Sequence, residues 1–164
     1  MDKTFWLDDA VLAALRTCSM LFEEIECDPS LADTAAFLEH YGFTAEQTCN
    51  AIIVVAKSEP VRYACCVIPS TCKLDVNKKV SQLLGIKRCS FASAEQTLQL
   101  TGMQVGGVTP IGLPEMPIFV DLTVLNNEKI VLGGGNRSSK LILNPEELRK
   151  VPHLEFVEAL GIPR

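Results

Sequence analysis

The sequence lacks the long apolar run and the export signal that mark membrane and secreted proteins. No uninterrupted apolar segment approaches the roughly 18 residues that a membrane-spanning helix needs. The chain begins MDKTFWLDD, which is acidic and does not have the basic-then-apolar order of a signal peptide. We therefore expect a cytoplasmic protein that makes no contact with a membrane.

Cysteine motifs for metal binding or redox chemistry are also missing. The chain has seven cysteines, and no two of them have C-x-x-C spacing. Their number is odd, and the adjacent pair Cys65 and Cys66 lies in the apolar run YACCVI. Free cysteine in such a setting behaves as a small hydrophobic residue. We expect free, buried thiols, no bound metal and no cofactor.

Motifs for acid–base and nucleophilic catalysis are scarce. There are only two histidines, His40 and His153, and neither has a metal-ligand partner at helical spacing. The G-x-S-x-G elbow of serine hydrolases and the GxxxxGK[ST] phosphate loop are both absent. Any chemistry at this protein's site is therefore expected to rely on groups other than a catalytic histidine.

The balance of charge argues against broad binding to nucleic acid. The formal net charge is −5, whereas nonspecific binding to DNA or RNA needs many Lys and Arg contacts to phosphates. We expect no DNA partner, although contact with a single nucleotide end stays open. The basic residues are interpreted as solvated faces of helices and loops: Lys73, Lys78, Lys79, Lys87, Arg88, Arg137, Lys140, Arg149 and Lys150.

The chain does contain two glycine-rich segments in one small domain. Its 164 residues, 48% hydrophobic and 21% charged, predict a single globular domain over residues 1–164. Residues 102–117 are rich in glycine and proline, and Glu115 is their only ionisable residue. Glycine allows backbone to approach a ligand closely, and proline restricts the turns. Together with Gly133-Gly134-Gly135, this segment predicts a pocket whose working groups are backbone amides.

Hydrophobic patterns and turn residues predict a mixed α/β fold. A hairpin is expected from residues 51–56 and 62–68, which are rich in strand-forming residues and are separated by Lys57-Ser58-Glu59-Pro60. Helices are predicted near residues 9–17, 33–41, 76–84 and 93–100 and after Asn144, and further strands near residues 20–27, 89–91, 118–121, 129–132 and 140–143. We expect a mixed sheet, or partial barrel, of six or seven strands surrounded by helices. The C-terminal VPHLEFVEALGI can pack on its own core or on a neighbour, so a monomer and a homodimer are both open.

The order of several motifs resembles the YbaK/ProX group, which is related to the inserted editing domain of prolyl-tRNA synthetases. The resemblance covers residues 30–148 and rests on DPSLADTAAFLEHYGF before NAIIVVA, then VIPSTCKLDVNKKVSQLLG, ASAEQTLQLTGMQVGGVTPIGLP, PIFVDLTVL and IVLGGGNRSSKLIL. A single glycine-rich loop is weak evidence, but this ordered set is specific. It implies the fold of that group and the hydrolysis of mischarged aminoacyl-tRNA in trans.

The resemblance also implies where substrate lies. The 3′-terminal aminoacyl-adenosine of a mischarged tRNA would enter a small pocket, and an aminoacyl-tRNA synthetase is a further expected partner. The loop that supplies backbone N–H groups matches Gly106, Gly107 and Pro110 as catalytic-loop residues, with Val108 and Thr109 between them. The remaining substrate-binding residues are expected to be Asn50, Asp121, Gly133, Gly134, Gly135, Asn136 and Arg137. The residues alone favour a second interpretation of Asp121, in which its carboxylate caps or braces a turn.

One position departs from the family pattern and leaves a second function open. Many members of the group have a lysine at the start of the strand where this chain has Asn50. Asparagine can hydrogen-bond a phosphate or hydroxyl, but it cannot make a charge-assisted contact. The alternative is therefore a noncatalytic module that binds a tRNA end or a small metabolite. A hydrolase acting on a related small ester is a third interpretation.

Overall fold

The computed structural model describes residues 6–164, which form a mixed α/β domain. The α-helices are α1 (Asp9–Thr17), α2 (Thr34–Tyr41), α3 (Ser81–Leu84) and α4 (Ala94–Thr101). The strands are β1 (Glu23–Glu26), β2 (Cys49–Ala56), β3 (Arg62–Pro69), β4 (Cys72–Leu74), β5 (Cys89–Phe91), β6 (Ile118–Asp121), β7 (Ile130–Gly133), β8 (Ser139–Leu143), β9 (Leu154–Val157) and β10 (Gly161–Pro163).

The helices begin and end at the residues that local chemistry favours. Asp8 accepts a hydrogen bond from the Ala10 amide at the start of α1, whose apolar face is buried. Ser93 and Gln96 form a reciprocal capping box at the start of α4. Gly42 ends α2 and Gly102 ends α4, both in the left-handed conformation that glycine adopts readily. Because α4 ends at Gly102, the glycine-rich loop begins there.

The strands divide among three sheets. A five-stranded mixed sheet has the order β5-β2-β3-β6-β9, in which β3, β6 and β9 are parallel and the other pairs are antiparallel. An antiparallel sheet has the order β1-β8-β7, and β10 pairs with β4 in a third. The expected mixed α/β architecture is confirmed, with the strands distributed over these sheets and no closed barrel among the described residues.

The predicted hairpin is confirmed as β2 and β3, and it separates two hydrophobic cores. Cys65 and Cys66 alternate between its faces, so that Cys65 packs in the core beneath α1 and Cys66 packs in the core beneath α3. Both side chains are fully buried, and all seven cysteines are free thiols. Burial on both faces explains why the strand sequences read as continuous apolar runs.

The two larger sheets meet at the beginning of β2. Thr48 forms an isolated parallel bridge with Val131 of β7, and the Val131 amide donates to the Gln47 carbonyl at 2.8 Å. A third cluster of buried side chains lies beside this junction and includes Phe37, whose ring stacks on those of Tyr41 and Phe43. The junction leaves a gap between α2, β2, β7 and β8.

Several predicted elements differ in detail. The helix predicted after Asn144 is a 3-10 helix, Pro145–Lys150, and residues 76–84 form a π-helical turn, Val76–Val80, followed by the short α3. The C-terminal segment VPHLEFVEALGI contributes β9 and the start of β10 to the protein's own sheets. None of the helices within residues 6–164 has both the length and the apolar character required to cross a bilayer.

Candidate functional site

The first half of the glycine-rich loop borders a cavity of about 330 Å³. Its other walls come from the first turn of α2, the first residues of β2, the end of β7, and β8. The cavity is lined by Ala32, Asp33, Thr34, Phe37, Thr48, Cys49, Asn50, Ala51, Ile52, Val105, Gly106, Val108, Val131, Leu132, Gly133 and Lys140. Most of these groups are apolar, with a few polar groups between them, as in small-molecule sites generally.

The loop turns sharply at Gly106 and Gly107. The Gly107 amide donates to the Gln104 carbonyl at 2.8 Å, which closes a turn, and Gly106 has φ +93°. Within residues 6–164, the amide N–H groups of Gly106 and Val108 meet no acceptor. The turn therefore uses the Gly107 donor, while the two neighbouring amides belong to residues that line the cavity.

The segment GGGNR supports the back of this loop. The Gly135 amide donates to the Gly107 carbonyl at 2.7 Å, and a side chain at Gly107 would collide with the Asn136 backbone. A side chain at Gly133 would collide with Gly107, because the end of β7 passes directly behind the loop. Glycine is thus required at both positions for close packing of two backbone segments. The second glycine cluster lies against the loop rather than across the cavity from it.

Arg137 connects the loop to the region that begins α2. Its guanidinium donates to the Val105 carbonyl at 2.8 Å, the Pro29 carbonyl at 2.9 Å and Asp33 Oδ1 at 3.0 Å. The hydrogen bond from Arg137 holds the pKa of the Asp33 carboxyl below its ordinary value. The planar guanidinium suits this role because its five donors point in fixed directions.

Lys140 is the buried cation of the cavity. Its residue is 7% exposed, and Nζ donates to the Ala32 and Gly106 carbonyls, each at 2.9 Å. Nζ also lies 5.2 Å from the centre of the Phe37 ring. Burial lowers the pKa of the Lys140 ammonium below its ordinary value, with the nearby Arg137 charge acting in the same direction. The expectation that this lysine is solvated is therefore wrong.

Asn50 lies at the cavity and is oriented by Thr34. The Thr34 hydroxyl donates to Asn50 Oδ1 at 2.9 Å, which joins α2 to β2. With its oxygen used in this way, the Asn50 amide nitrogen is the remaining donor of that side chain. Together with the Gly106 and Val108 amides and Lys140, it makes the cavity rich in hydrogen-bond donors. This arrangement suits a ligand that presents oxygen acceptors.

The structure places the other expected site residues away from the cavity lining. Asp121 accepts hydrogen bonds from the Thr123 amide and hydroxyl and from the Gly161 amide, so its carboxylate braces a turn and a C-terminal strand. Pro110 borders a second groove, of about 240 Å³, between α1 and residues 151–153. Five further residues also lie outside the lining: Thr109, which is buried, Gly134, Gly135, Asn136 and Arg137.

The cavity does not resemble a metal centre. Within residues 6–164, no group of three or more His, Cys, Asp or Glu side chains is placed to hold a metal ion. Cys49 is the one thiol in the described lining, and burial raises its pKa to about 12. A thiol in this state is protonated at neutral pH and is a poor nucleophile.

The sequence interpretation missed Lys140 and Phe37, two contributors to the cavity. The sequence places Lys140 among the solvated lysines, because the pattern of one strand does not reveal which side chains meet a neighbouring loop. The structure shows what the sequence does not, because every residue of the strand SKLIL, including Lys140, is buried. A lysine inside a strand buried on both faces indicates a functional or bridging role.

Comparison with known proteins assigns the chain to a family. A family model described as the aminoacyl-tRNA editing domain matches residues 28–151. The chain belongs to the aminoacyl-tRNA editing domain family. The matched range includes the α2 and β2 walls of the cavity, the glycine-rich loop and Lys140. The resemblance expected from the ordered motifs is thereby confirmed.

Individual relatives of this editing domain are more distant. An uncharacterized protein of Bacillus subtilis (strain 168), YwhH, is 35% identical over 77 residues, which are 46% of this chain and 48% of that protein. The match thus spans about half the length of the curated relative.

Two solved structures share the fold. The hypothetical protein APE2540 has a TM-score of 0.81 at 24% identity, with 92% of this chain and 98% of that chain covered. A candidate trans-editing enzyme for prolyl tRNA synthetase has a TM-score of 0.77 at 20% identity, with 93% and 97% covered. At these identities the likeness establishes the fold of the editing domain.

Proposed function

We propose that this protein hydrolyses the ester bond of mischarged aminoacyl-tRNA and acts in trans on the released tRNA. The proposal rests on the turn that the glycine-rich loop makes at Gly106. In a chain of the editing domain family, this turn leaves the amides of Gly106 and Val108, two residues of a small cavity's wall, without acceptors among residues 6–164. Such amides are preorganised donors for an ester carbonyl.

The chemistry needs few further groups. Water adds to the ester carbonyl carbon, and the carbonyl oxygen becomes an oxyanion that backbone donors stabilise. Removal of one such donor in other enzymes lowers kcat by about 10²–10³. The carbon–oxygen bond to the ribose then breaks, and the leaving hydroxyl takes up a proton, releasing an amino acid and intact tRNA. An activated ester beside a sugar hydroxyl does not require the catalytic histidine that the described cavity lining lacks.

The cavity favours a small amino acid. Its described walls include Ile52, Val105 and Leu132, which restrict the space for a side chain, while the tRNA 3′-terminal adenosine would lie at the mouth. An apolar pocket separates side chains that differ by one methylene by only about 10–200-fold. We therefore propose an ester of cysteine, alanine or a residue of similar size as the substrate, with the tRNA end as partner.

The test is a deacylation assay on a panel of mischarged tRNAs. We expect hydrolysis above the uncatalysed rate for esters of small amino acids and little for esters of large ones. The same tRNAs carrying an amide-linked amino acid serve as a control for release of label without ester cleavage. If no ester in the panel is hydrolysed faster than in buffer, the enzymatic function is wrong.

A noncatalytic binding module is the second candidate, and the neutral side chain of Asn50 favours it. Asn50 is held by Thr34 at the cavity and brings no charge to a substrate phosphate. The substitution Asn50→Lys separates the two functions. Hydrolysis that appears only in this variant would identify the natural protein as a binder, whereas activity in the unmodified protein would exclude that interpretation.

A further inference from the structure

Among the described residues 6–164, only two of the three N–H donors of Lys140 have an acceptor. An ammonium group has three N–H donors, and the carbonyls of Ala32 and Gly106 accept two of them. Within residues 6–164, no carboxylate forms an ion pair with Nζ, and the neighbouring Asp33 pairs with Arg137. Burying the charge of a residue that is only 7% exposed is costly when the ammonium is only partly hydrogen-bonded, so the burial requires a reason.

The position of the ammonium supplies that reason. Lys140 lines the cavity, and its Nζ is 2.9 Å from the carbonyl oxygen of Gly106, whose own amide has no acceptor in the part of the chain that the structure describes. The Phe37 ring, whose centre is 5.2 Å from Nζ, covers another side of the ammonium. An oxygen atom that enters the cavity beside the loop therefore meets a backbone N–H and a positive charge together.

We propose that Lys140 is a substrate-binding residue whose third N–H holds the acyl carbonyl oxygen of the ester and the oxyanion that forms from it. This inference rests on the proposed deacylation. Water supplies the oxygen that adds to the carbonyl carbon, the ester carbon–oxygen bond breaks, and the ribose hydroxyl leaves with a proton. Lys140 keeps its own proton throughout and acts by charge.

A purely structural role for Lys140 and a role in substrate binding predict different effects of a ligand on the pKa of its ammonium. If Lys140 only ties Ala32 to Gly106, its surroundings do not change when substrate arrives. If it holds the acyl oxygen, a bound carbonyl stabilises the charged form and raises the pKa of the ammonium. The other charged or titratable groups around it are Cys27, Asp33 and Arg137, and none of them belongs to the ligand.

The experiment uses the full chain labelled with [13Cε]lysine and an adenosine whose 3′ position bears a propanoylamino group. This probe keeps the acyl carbonyl, cannot be hydrolysed as an ester and lacks the α-ammonium that would repel Lys140. NMR titration follows the Lys140 resonance with and without saturating probe. We expect its pKa to rise on binding and the lysine resonance of the exposed Lys150 to titrate unchanged.

Variants give a second measurement. We expect Lys140→Met to lower the single-turnover rate of deacylation by about 100-fold, in the range seen for loss of one oxyanion donor. Lys150→Met is the matched control, because Lys150 also donates to a backbone carbonyl, that of Ser19, but lies at the surface. The control is expected to keep the wild-type rate. The wild-type NMR titration needs no variant and remains decisive if Lys140→Met folds poorly.

The outcomes separate the two proposals. Probe binding with an unchanged Lys140 pKa would overturn the role of Lys140 and leave the deacylase function standing, as would a Lys140→Met variant that folds and hydrolyses at the wild-type rate. Failure of the unmodified protein both to bind the probe and to hydrolyse any ester of the panel would overturn the deacylase function and, with it, this inference.

Discussion

At the scale of single residues, Gly106 has the tightest constraints at the site. Its φ of +93° lies in the region that side chains disfavour, and a Cβ atom there would collide with Arg137 Nη1 and lie 3.2 Å from Asp33 Oδ1. Its amide has no acceptor within the described residues, and its carbonyl accepts from Lys140. Gly106 is therefore constrained by its positive φ and by its contact with Arg137, and both its amide and its carbonyl can contribute to substrate binding.

We predict that Gly106→Ala lowers deacylation by about 100-fold while costing about 1–2 kcal/mol of stability, because the loop must turn differently to relieve the strain. Rates and thermal unfolding would be measured together. The control is Gly85→Ala at the end of α3, where φ is +70° and a Cβ atom meets nothing within 4 Å. This control should lose stability without losing activity. Equal activity in both variants would remove Gly106 from the mechanism.

The residue scale also shows where sequence interpretation succeeds and where it stops. The loop that borders the cavity is predictable because glycine and proline dominate residues 102–117 and Glu115 is their only ionisable residue. The catalytic role of Gly106 and Gly107 stays a prediction. Lys140 was not identifiable as a cavity residue because its partners, Ala32 and Gly106, are distant in the chain and act through backbone carbonyls. Every residue has a backbone carbonyl, so the sequence does not indicate which carbonyl accepts a hydrogen bond from a lysine.

At the scale of elements, the loop is held by side chains from β8 and the turn before it. Arg137 binds residues at 29, 33 and 105, and Lys140 binds residues at 32 and 106. Two neighbouring cations therefore connect the beginning of α2 to the loop that follows α4. This connection fixes the distance across one side of the cavity.

We predict that Arg137→Lys destabilises the protein by about 1–2 kcal/mol, since an ammonium cannot reach three acceptors in the directions that the guanidinium serves. Deacylation should fall as well, because Val105 and Gly106 are adjacent. Arg88→Lys is the control at an exposed arginine. Thermal unfolding and single-turnover rates give the comparison, and an Arg137→Lys protein that behaves like the control would show that Arg137 does not hold the loop.

A helix or strand is predictable from the sequence when the interactions that form it involve residues close together in the chain. The hairpin of β2 and β3 was predictable because both strands are rich in strand-forming residues and a short turn joins them. The segment after Asn144 has a helix cap and Pro145, but it continues as a 3-10 helix. Residues 154–157 form β9 by parallel pairing with the edge of β6. The local sequence of these residues does not indicate that a distant strand edge is available to them.

At the scale of the whole molecule, carboxylates link segments that are far apart in the chain. Glu147 Oε1 accepts from the Leu21 amide at 2.8 Å and from Lys150 Nζ at 2.8 Å. The hydrogen bond from Lys150, followed by that from Leu21, lowers the pKa of Glu147 from its ordinary value of 4.5. A lowered pKa in the folded state means that the charged carboxylate stabilises the fold above about pH 4.5 and loses this effect as the pH falls further.

We predict that Glu147→Gln lowers the Tm by a few degrees at pH 7 and that this difference shrinks towards pH 3, where the wild-type carboxyl is protonated. Glu146→Gln is the control, since Glu146 pairs with Arg149 at the exposed surface. It should change the Tm little at either pH. A Glu147→Gln deficit that stays constant from pH 7 to pH 3 would show that charge at this position does not stabilise the fold.

The pairing of β1 with β8 determines when the site can form during synthesis. Glu24 pairs with Leu141, so β1 cannot form this pairing until β8 has been synthesised. Lys140 lies in the same strand, and the cavity therefore cannot be complete before β8 has left the ribosome. The sequence of β1 is EEIE, with three glutamates in four residues. Charged side chains discourage an unpaired strand from pairing with other chains, so these glutamates protect β1 while it remains solvent-exposed and unpaired.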